Sequence, residues 1–538
     1  MSHITSKSSP IVIVGAGVFG LSTALHLAER GYTNVKLLDK QAYNLSHYSY
    51  DKGCDAASAD INKIIRSAYG SQFQYQELAR DAMAKWKKWN DEIKTGKTVP
   101  AGFSTDSVLF VNNGCLTMTS GSEMDQFEKD TIQNMTKVGL RDTQLNLNVP
   151  SDVARARGGG FGFVADVFNI NNKTALLDTR SGFVYADKAC QFALAKVQKL
   201  GVELVLGGPK GTFAGLLQDA SRTNGVLTAD GKAHKAELTI MACGGWTPSL
   251  LTQLDNLCET TAGSVTMFQL PPNNKALWDR FAPENFPTWS HDIRRGKCGG
   301  LYGFARDPNG VVKIGYRGAK FTNPQIQADG TARSVPATRW TQEAIRQIPL
   351  TAARVIKAFI QEQLPELLDC EMNTRLCWYT DSYDNHFVID FVPGTSGLMV
   401  ATGGSGHGFK FLPNLGEHVV DKIENRQNDY LQYWKWRSLE INCIPDLDHT
   451  VLVRLPMEPC APNNGPVAVN KKSCNPNAIS GVRLELLGPP LPHVATLAGN
   501  EVWSECSSDH LLGQGKISGT KRVQNWEGNG HKLASCST

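Results

Sequence analysis

The sequence predicts an α/β fold that opens on a parallel, dinucleotide-type sheet. Three observations near the N-terminus carry that reading. Ile11 to Val14 is a short, continuous apolar run rich in β-branched residues, as expected of a parallel strand buried on both faces. Gly15, Gly17 and Gly20 follow at once in G-x-G-x-x-G spacing, and Leu21, Ala24, Leu25 and Ala28 then form one helical stripe closed by Gly31. A second strand, Val35 to Leu38, ends in Asp39, 19 residues after Gly20.

Each part has a physical job. Gly15 makes the tight turn, Gly17 lets the backbone approach a pyrophosphate, and Gly20 lets the helix pack closely on the strand. The helix N-terminus offers free N–H groups to phosphate, and Asp39 can accept from a ribose hydroxyl. The spacing does not separate NAD from FAD, because both use this cradle.

At 538 residues the chain exceeds one ordinary core, so two domains, intertwined or serial, are expected. Its 41% hydrophobic and 20% charged content is that of a globular protein, and a net charge of +4 gives no argument for nucleic acid. The polar start MSHITSKSSP leads straight into a strand, so no secretory signal is expected. No apolar run approaches the ~18 residues needed to span a bilayer, so no membrane partner is expected. Thirteen cysteines are an odd number without C-x-x-C pairs, which argues against a disulfide scaffold or a metal site.

Beyond the first domain the elements follow in order. Gln41 to Ala59, with Tyr43, Tyr48 and Tyr50, reads as a surface or lid loop. In SADINKIIRSAYG, Ser58 to Gly70, Lys63 and Arg66 lie three apart and share one face if the segment is helical. They suit either an anionic substrate or a solvated basic face. Phe73 to Ile93 is a helix whose Leu78, Ala82, Met83, Trp86 and Trp89 form a core stripe. Gly102 to Gly162 is loop-rich, with a strand at 107–112 and a helix at 124–138, and reads as an excursion from the first domain.

A helix at 179–200 and a strand at 201–206 mark a return to the first domain. A strand pair follows around the Asp230-Gly231 turn. The strand after it runs into Gly244-Gly245, which suits a second backbone approach to a cofactor. Val265 to Leu270, Gly300 to Phe304 and Val311 to Tyr316 form the second domain's sheet. Lys313 lies inside the last of these, either on a solvated face or aimed into a site. Thr338 to Gln363 reads as a helix broken at Pro349. Leu398 to Thr402 runs into Gly403, Gly404, Gly406 and Gly408, then Phe409 and Lys410. So many glycines bring backbone very close to something flat or charged. Leu415 to Trp436 reads as the last helix.

Over residues 9 to 437 the chain resembles the flavin amine oxidases, the family of monomeric sarcosine oxidase, pipecolate and saccharopine oxidases and fructosyl amino acid oxidases (amadoriases). Four motifs carry the likeness, in the family's order: IVIVGAGVFGLSTALHLAERG, DINKIIRSAYG, GLYGF with VVKIGY, and RLCWYTD with HFVID and GGSGHGFKFLP. Within the family it is the pipecolate and saccharopine branch that the chain resembles. The resemblance implies a discontinuous, Rossmann-like FAD-binding domain of the GR2 type, over 1–100, 165–250 and 370–437. A second, α+β substrate domain on a mainly antiparallel sheet is implied over 101–164 and 251–369.

It also implies site residues. Gly15, Gly17, Gly20, Asp39, Gly244, Gly406, Gly408 and Lys410 would hold FAD, and Cys377 matches the cysteine that attaches it covalently. A thiolate must attack the flavin there, and Arg375 supplies a nearby cation. Arg66 and Lys410 match the pair that grips the substrate carboxylate. Lys63 lines the site, Tyr302 and Tyr379 match active-site tyrosines, and Lys313 matches the lysine that promotes reaction with oxygen. The implied reaction is oxidation of a secondary amino acid with O2 as acceptor and hydrogen peroxide as product. The expected partners are a small secondary amine bearing a carboxylate and O2, and the expected state is a monomer in the cytoplasm or peroxisome. Two other readings share the residues: a biosynthetic oxidase or dehydrogenase of a larger amine, and a non-catalytic flavin-binding homologue.

The sequence departs from the family pattern in three places. Arg317 stands where amadoriases carry a glutamate for the Amadori amine, which argues against a fructosyl substrate. The Gln41–Asp55 loop is longer than usual. After Trp434-Lys435-Trp436-Arg437 come 101 residues poor in periodicity, with Cys443, Cys460, Cys474, Cys506 and Cys536 and a Cys-Ser-Thr end that is no peroxisomal address. This 438–538 stretch is expected to be a disordered tail or the product of a gene-model error.

Overall fold

The computed structural model describes residues 4–341 and 345–438 and the backbone of 455–456. The expectation for the 438–538 tail, with its five cysteines, therefore lies almost wholly outside the described residues.

The first apolar run is the strand Ile11–Val14, and its four residues are buried, as a two-sided parallel strand requires. It sits near the middle of a six-stranded sheet. The order is Val388–Phe391, Leu398–Thr402, Leu238–Met241, Ile11–Val14, Val35–Asp39 and Glu203–Leu206, and only the first strand is antiparallel to its neighbour. The helix Val18–Glu29 buries Leu21, Ala24, Leu25 and Leu27 in a core shared with Ala193 and Val197 of helix Ala186–Lys199 and Val419 and Ile423 of helix Leu415–Ile423.

The second sheet is larger. In order, it runs Glu371–Ser382, Cys258–Gln269, Val311–Thr322, Leu301–Gly303, Thr288–His291, Cys115–Ser120, Lys173–Asp178 and Gln144–Asn146. Leu455–Pro456 adds a short parallel pairing with Phe321 and Thr322. Along the main path every pair is antiparallel except Thr288–His291 with Cys115–Ser120. The expected α/β fold with a mainly antiparallel second sheet is thus present. Two strands differ from the expected segmentation. Lys173–Asp178 and Glu371–Ser382 fall in stretches assigned to the first domain, yet both are strands of the second sheet. The second of them pairs residue for residue with Cys258–Gln269, and that ladder decides where it belongs.

Other local differences have plain causes. The Lys63–Arg66 segment is no helix. Asn62–Ile65 is a strand paired with Gly182–Tyr185, as its β-branched Ile64 and Ile65 favour. The 179–200 segment begins as that partner strand and turns helical only at Ala186. Pro349 caps the helix Leu350–Gln363 at its start and does not break it, since a missing N–H costs nothing there. The expected lid loop is largely packed. Tyr43 and Tyr48 are buried and stacked 3.8 Å apart, and Tyr48 donates to the Ala16 carbonyl at 2.8 Å, bracing the glycine turn from below.

That turn has no spare room. Gly15 takes φ +105°, and a Cβ there would lie 2.3 Å from the Ala242 oxygen. A Cβ on Gly20 would lie 1.7 Å from the Gly15 oxygen. Gly20→Ala must therefore push helix Val18–Glu29 off the sheet. The expected cost is about 2 kcal/mol or more, read as a fall in the thermal unfolding midpoint; an unchanged midpoint would contradict the close-packing account.

Candidate active site

Period-two alternation on the large sheet builds one wall of the site. On strand Val311–Thr322, Lys313, Gly315 and Arg317 share a face. Arg375, Cys377 and Tyr379 share the matching face of strand Glu371–Ser382. The strand between them places Val265 opposite both Gly315 and Arg375, and Gly263 opposite Cys377. Tyr302 lies opposite Gly315, and a Cβ on Gly315 would come within 2.1 Å of the Tyr302 ring. The glycine exists so that this ring can lie flat on the wall.

A cavity of about 440 Å³ runs along this wall. At one end it is lined by Gly15, Gly17, Asp39, Lys40 and Trp246. Gly244 lines it too, as expected, and Lys40 Nζ sits 3.8 Å over the Trp246 ring. At the other end it is lined by Lys63, Arg66, Tyr302, Cys377, Tyr379 and Lys410. Gly406 and Gly408 line the same end, as do Arg317, His407 and Cys115. Among the described lining residues the only carboxylates are Asp39 and Asp55, both at the glycine end. Gly20 is the one expected site glycine not on the lining; its part is the helix packing described above.

Asp39 accepts from the Ala16 N–H at 2.7 Å and the Gln41 N–H at 2.8 Å, so it also shapes the glycine turn. Burial pushes its carboxyl up to about 6.

The end of the cavity beside Cys377 and Tyr302 is organised by a residue to which the sequence reading gave no role. Asp60, in the quoted DINKIIRSAYG motif, is buried and meets three cations from three segments. Lys63 Nζ is 2.6 Å away, Lys313 Nζ 2.9 Å and Arg375 Nη2 3.1 Å. Despite burial, those charges hold the Asp60 carboxyl far below the usual carboxylate range. The signal was present: a lone acid three residues before Lys63 in a cationic motif.

This cluster settles Lys313. It is fully buried, and its Nζ donates to Asp60 and, at 2.6 Å, to the Asn62 carbonyl, so it is neither solvated nor on the cavity lining. It projects from the same face as the wall but is covered by Asp60 and Asn62, where burial outweighs Asp60 and lowers its ammonium to about 7. Lys63 shares Asp60 and does line the cavity, 3.9 Å from Cys377 Sγ. Arg375, expected beside Cys377, is turned to Asp60 and donates to the Ala59 carbonyl at 2.9 Å.

Opposite the wall, the loop after strand Asn62–Ile65 brings Arg66 to the cavity, its guanidinium 5.8 Å over the Phe127 ring. Lys410 is almost wholly buried, at 5% exposure. Its backbone carbonyl accepts from Trp86 Nε1 at 2.8 Å, so the core stripe of helix Phe73–Lys94 also seats Lys410. Arg317 Nη1 lies 3.4 Å from the Gly406 oxygen. Lys410, cut off from water by burial and then crowded by Arg66 and Arg317, has its ammonium lowered well below the usual lysine range.

The sequence profile of the FAD dependent oxidoreductase family matches residues 10–422. The chain belongs to that family. It is 27% identical to L-saccharopine oxidase of Schizosaccharomyces pombe, over 80% of this chain and 94% of that one. It is 25% identical to an N-methyl-L-tryptophan oxidase of Escherichia coli, over 78% and 96%. Among solved structures it superposes on the fructosamine oxidase Amadoriase II of Aspergillus fumigatus with TM-score 0.64 and 28% identity, covering 81% and 91%. A fructosyl peptide oxidase from Aspergillus nidulans gives TM-score 0.67 and 27% identity, covering 81% and 95%.

Membership decides the question the glycine spacing left open: the cofactor is FAD, and the enzyme is an FAD-dependent oxidoreductase. The cavity fits that group. Its glycine end has no room for any Cβ at Gly15 and presents the N-terminus of helix Val18–Glu29, while its far end is walled by the flat Tyr302 and by Cys377. No helix among the described residues is long and apolar enough to cross a membrane, and no metal-binding cluster is found among them.

Asp60→Asn leaves Lys63, Lys313 and Arg375 without their shared anion. We expect a loss of about 3–5 kcal/mol, as when one partner of a buried pair is removed. Because the Asp60 carboxyl is held below its unfolded value, its contribution is full above about pH 4 and is lost as pH falls further. Urea unfolding of the two proteins at pH 7 and pH 4 checks both statements; equal midpoints at pH 7 would refute the role assigned to Asp60.

Proposed function

We propose that this enzyme oxidises a secondary amino acid, with Arg66 and Lys410 gripping the substrate carboxylate. One observation carries the reading. The end of the cavity beside Cys377 and Tyr302 is lined by cations and, among the described residues, by no carboxylate. A substrate with a carboxylate and an amine meets there a planar fork from Arg66 and a point charge from Lys410. Saccharopine and N-methyl-L-tryptophan, in the names of the relatives, are both N-substituted amino acids.

Gly15, Gly17, Asp39 and Gly244 would hold the dinucleotide end of FAD, and Gly406 and Gly408 the reacting end. Cys377 is the residue we assign to covalent attachment, with Lys63 as the cation facing its sulfur. The first domain, over 1–100, 165–250 and most of 370–437, would serve the cofactor, and 101–164 with 251–369 the substrate. FAD, when bound, supplies the acceptor for the hydride equivalent of the α C–H and passes the electrons to O2, giving hydrogen peroxide while water hydrolyses the imine product.

The protein's part is positioning and charge. Fixing the carboxylate at Arg66 and Lys410 restricts how the amine-bearing carbon meets the wall, and such orientation lowers the barrier. A carboxylate arriving there also relieves the repulsion among Lys410, Arg66 and Arg317, which draws Lys410 back to its charged form. Along the wall, three cations on one aspartate leave net positive charge beside the reacting end. Negative charge developing on oxygen is stabilised by it, and Lys313 contributes to that charge without touching the cavity. Arg317, in place of the amadoriase glutamate, disfavours a fructosyl amine and favours sarcosine-, pipecolate- or saccharopine-like substrates.

Acid precipitation of the purified protein should give a yellow pellet; a colourless pellet under a yellow supernatant would contradict attachment through Cys377. A peroxide assay across sarcosine, pipecolate, saccharopine and fructosyl-lysine should respond to a carboxylated secondary amine other than the last. Silence across the panel with FAD bound would favour the non-catalytic reading.

Two substitutions separate the halves of the reaction. Lys410→Met should raise KM for the carboxylate substrate by about tenfold or more. Lys313→Met should slow reoxidation by O2 while reduction by substrate stays near normal. An unmoved KM, or equal slowing of both steps, would sink the respective assignment.

A further inference from the structure

Lys410 does not stand alone at the cavity. Its Nζ lies 2.8 Å from the Tyr69 hydroxyl and 4.5 Å from the centre of that ring. The Tyr69 hydroxyl lies 3.0 Å from His407 Nδ1, and His407 Nε2 lies 3.0 Å from the Asn385 carbonyl oxygen. Four groups from three segments thus form one chain of hydrogen bonds.

The chain has only one polarity. A carbonyl oxygen can only accept, so His407 Nε2 must carry the proton that meets Asn385. Burial, with Lys410 and Arg317 close by, pushes His407 well below the usual imidazole range, so the ring is neutral and Nδ1 is a bare acceptor. Tyr69 therefore donates its O–H to Nδ1, and its oxygen lone pair is left to accept from Lys410 Nζ. The polarity runs from a backbone group to the ammonium and does not depend on the charge of Lys410.

Every member is held. Asn385 takes φ +61°, a left-handed turn that an asparagine tolerates. The His407 ring stacks on Phe387 at 4.9 Å and 24°. The Tyr69 ring stacks on Tyr75 at 5.4 Å and 22°. The Lys410 backbone is pinned by Trp86. A flexible lysine is thereby reduced to one placement, with one N–H bound to Tyr69 and two left for a ligand.

We propose that His407 and Tyr69 are the positioning residues of the carboxylate clamp, orienting the Lys410 ammonium through a one-way chain anchored on the Asn385 carbonyl. This rests on the reading of Lys410 as a carboxylate ligand. Tyr69 is not on the cavity lining, and His407 lines it between Gly406 and Gly408. Their effect is on how well the carboxylate is held, so it belongs in KM more than in kcat.

The test uses the full-length FAD enzyme and whichever of sarcosine, pipecolate and saccharopine gives peroxide. Tyr69→Phe keeps the ring stack and removes the link; His407→Phe keeps the stack on Phe387 and removes the anchor. Each should raise KM by about tenfold with kcat within about threefold. The double variant should cost little more than either single one, because both break one chain. His407→Asn, which keeps an acceptor near the Nδ1 position, should recover most of the loss. A normal KM in Tyr69→Phe, a fall confined to kcat, or no recovery in His407→Asn overturns the proposal.

A second measurement needs no turnover. In [15N]histidine-labelled protein, the signal lost in His407→Asn should show a bare Nδ1 and a protonated Nε2 near pH 7. The opposite tautomer, or an imidazolium, overturns the chain even if the clamp stands. A Lys410→Met enzyme with unchanged KM would remove the clamp reading while leaving the tautomer result intact, so the two failures are told apart.

Discussion

The end of the cavity beside Cys377 depends on one buried carboxylate. Asp60 draws Lys63, Lys313 and Arg375 together from three segments far apart in the chain. Removing such charges from water costs several kcal/mol per ion, and their attraction returns it only when the geometry is close. The arrangement is therefore better understood as a constraint on position than as a source of stability. It ties strand Asn62–Ile65, which belongs to a small sheet of its own, to the face of the large sheet. It thereby fixes where the Lys63 ammonium stands relative to Cys377.

From that constraint the site divides into two electrostatic environments. The wall is preorganised: sheet alternation and the Asp60 cluster hold its charges whether or not a substrate is present. The opposite side is crowded by like charges. Lys410 is buried beside Arg66 and Arg317, and burial together with their charge weakens its hold on a proton. The hydrogen-bonded chain through Tyr69 and His407 keeps the crowded lysine from turning away.

Much of this was legible along the chain, and the gaps have physical reasons. The strand, glycine turn, helix and second strand of the first forty residues are local signals, so those elements carried into the structure with little change. Cys377 and Lys410 were visible only through family motifs, since one cysteine or one lysine has no local signature. Lys313 was caught between two readings because alternation says which residues share a face but not what covers that face. The Lys63–Arg66 pair was weighed as a helical face, and the Gln41–Ala59 stretch as a surface loop. Pairing with Gly182–Tyr185 and burial of Tyr43 and Tyr48 overrode both, and neither partner lies nearby in sequence. Asp60, Tyr69 and His407 all stood inside quoted motifs without a role, because a polar residue's role depends on which group from elsewhere it meets.

The sequence by itself determined the α/β class, the dinucleotide cradle, the presence of a second, mainly antiparallel sheet and the family. Those depend on turn geometry, two-fold and 3.6-fold periodicity and motif order, which are properties of short contiguous stretches. Only the tertiary structure decided which strand joins which sheet, that Lys313 is covered by Asp60 and Asn62 while Lys63 lines the cavity, and that Lys410 is hydrogen-bonded through Tyr69 to His407. The last two turn on meetings of residues some 250 to 340 positions apart, Lys313 with Asp60 and Lys410 with Tyr69, and the strand pairings also join segments distant in the chain. Chain connectivity leaves such meetings open, and burial together with hydrogen-bond complementarity closes them.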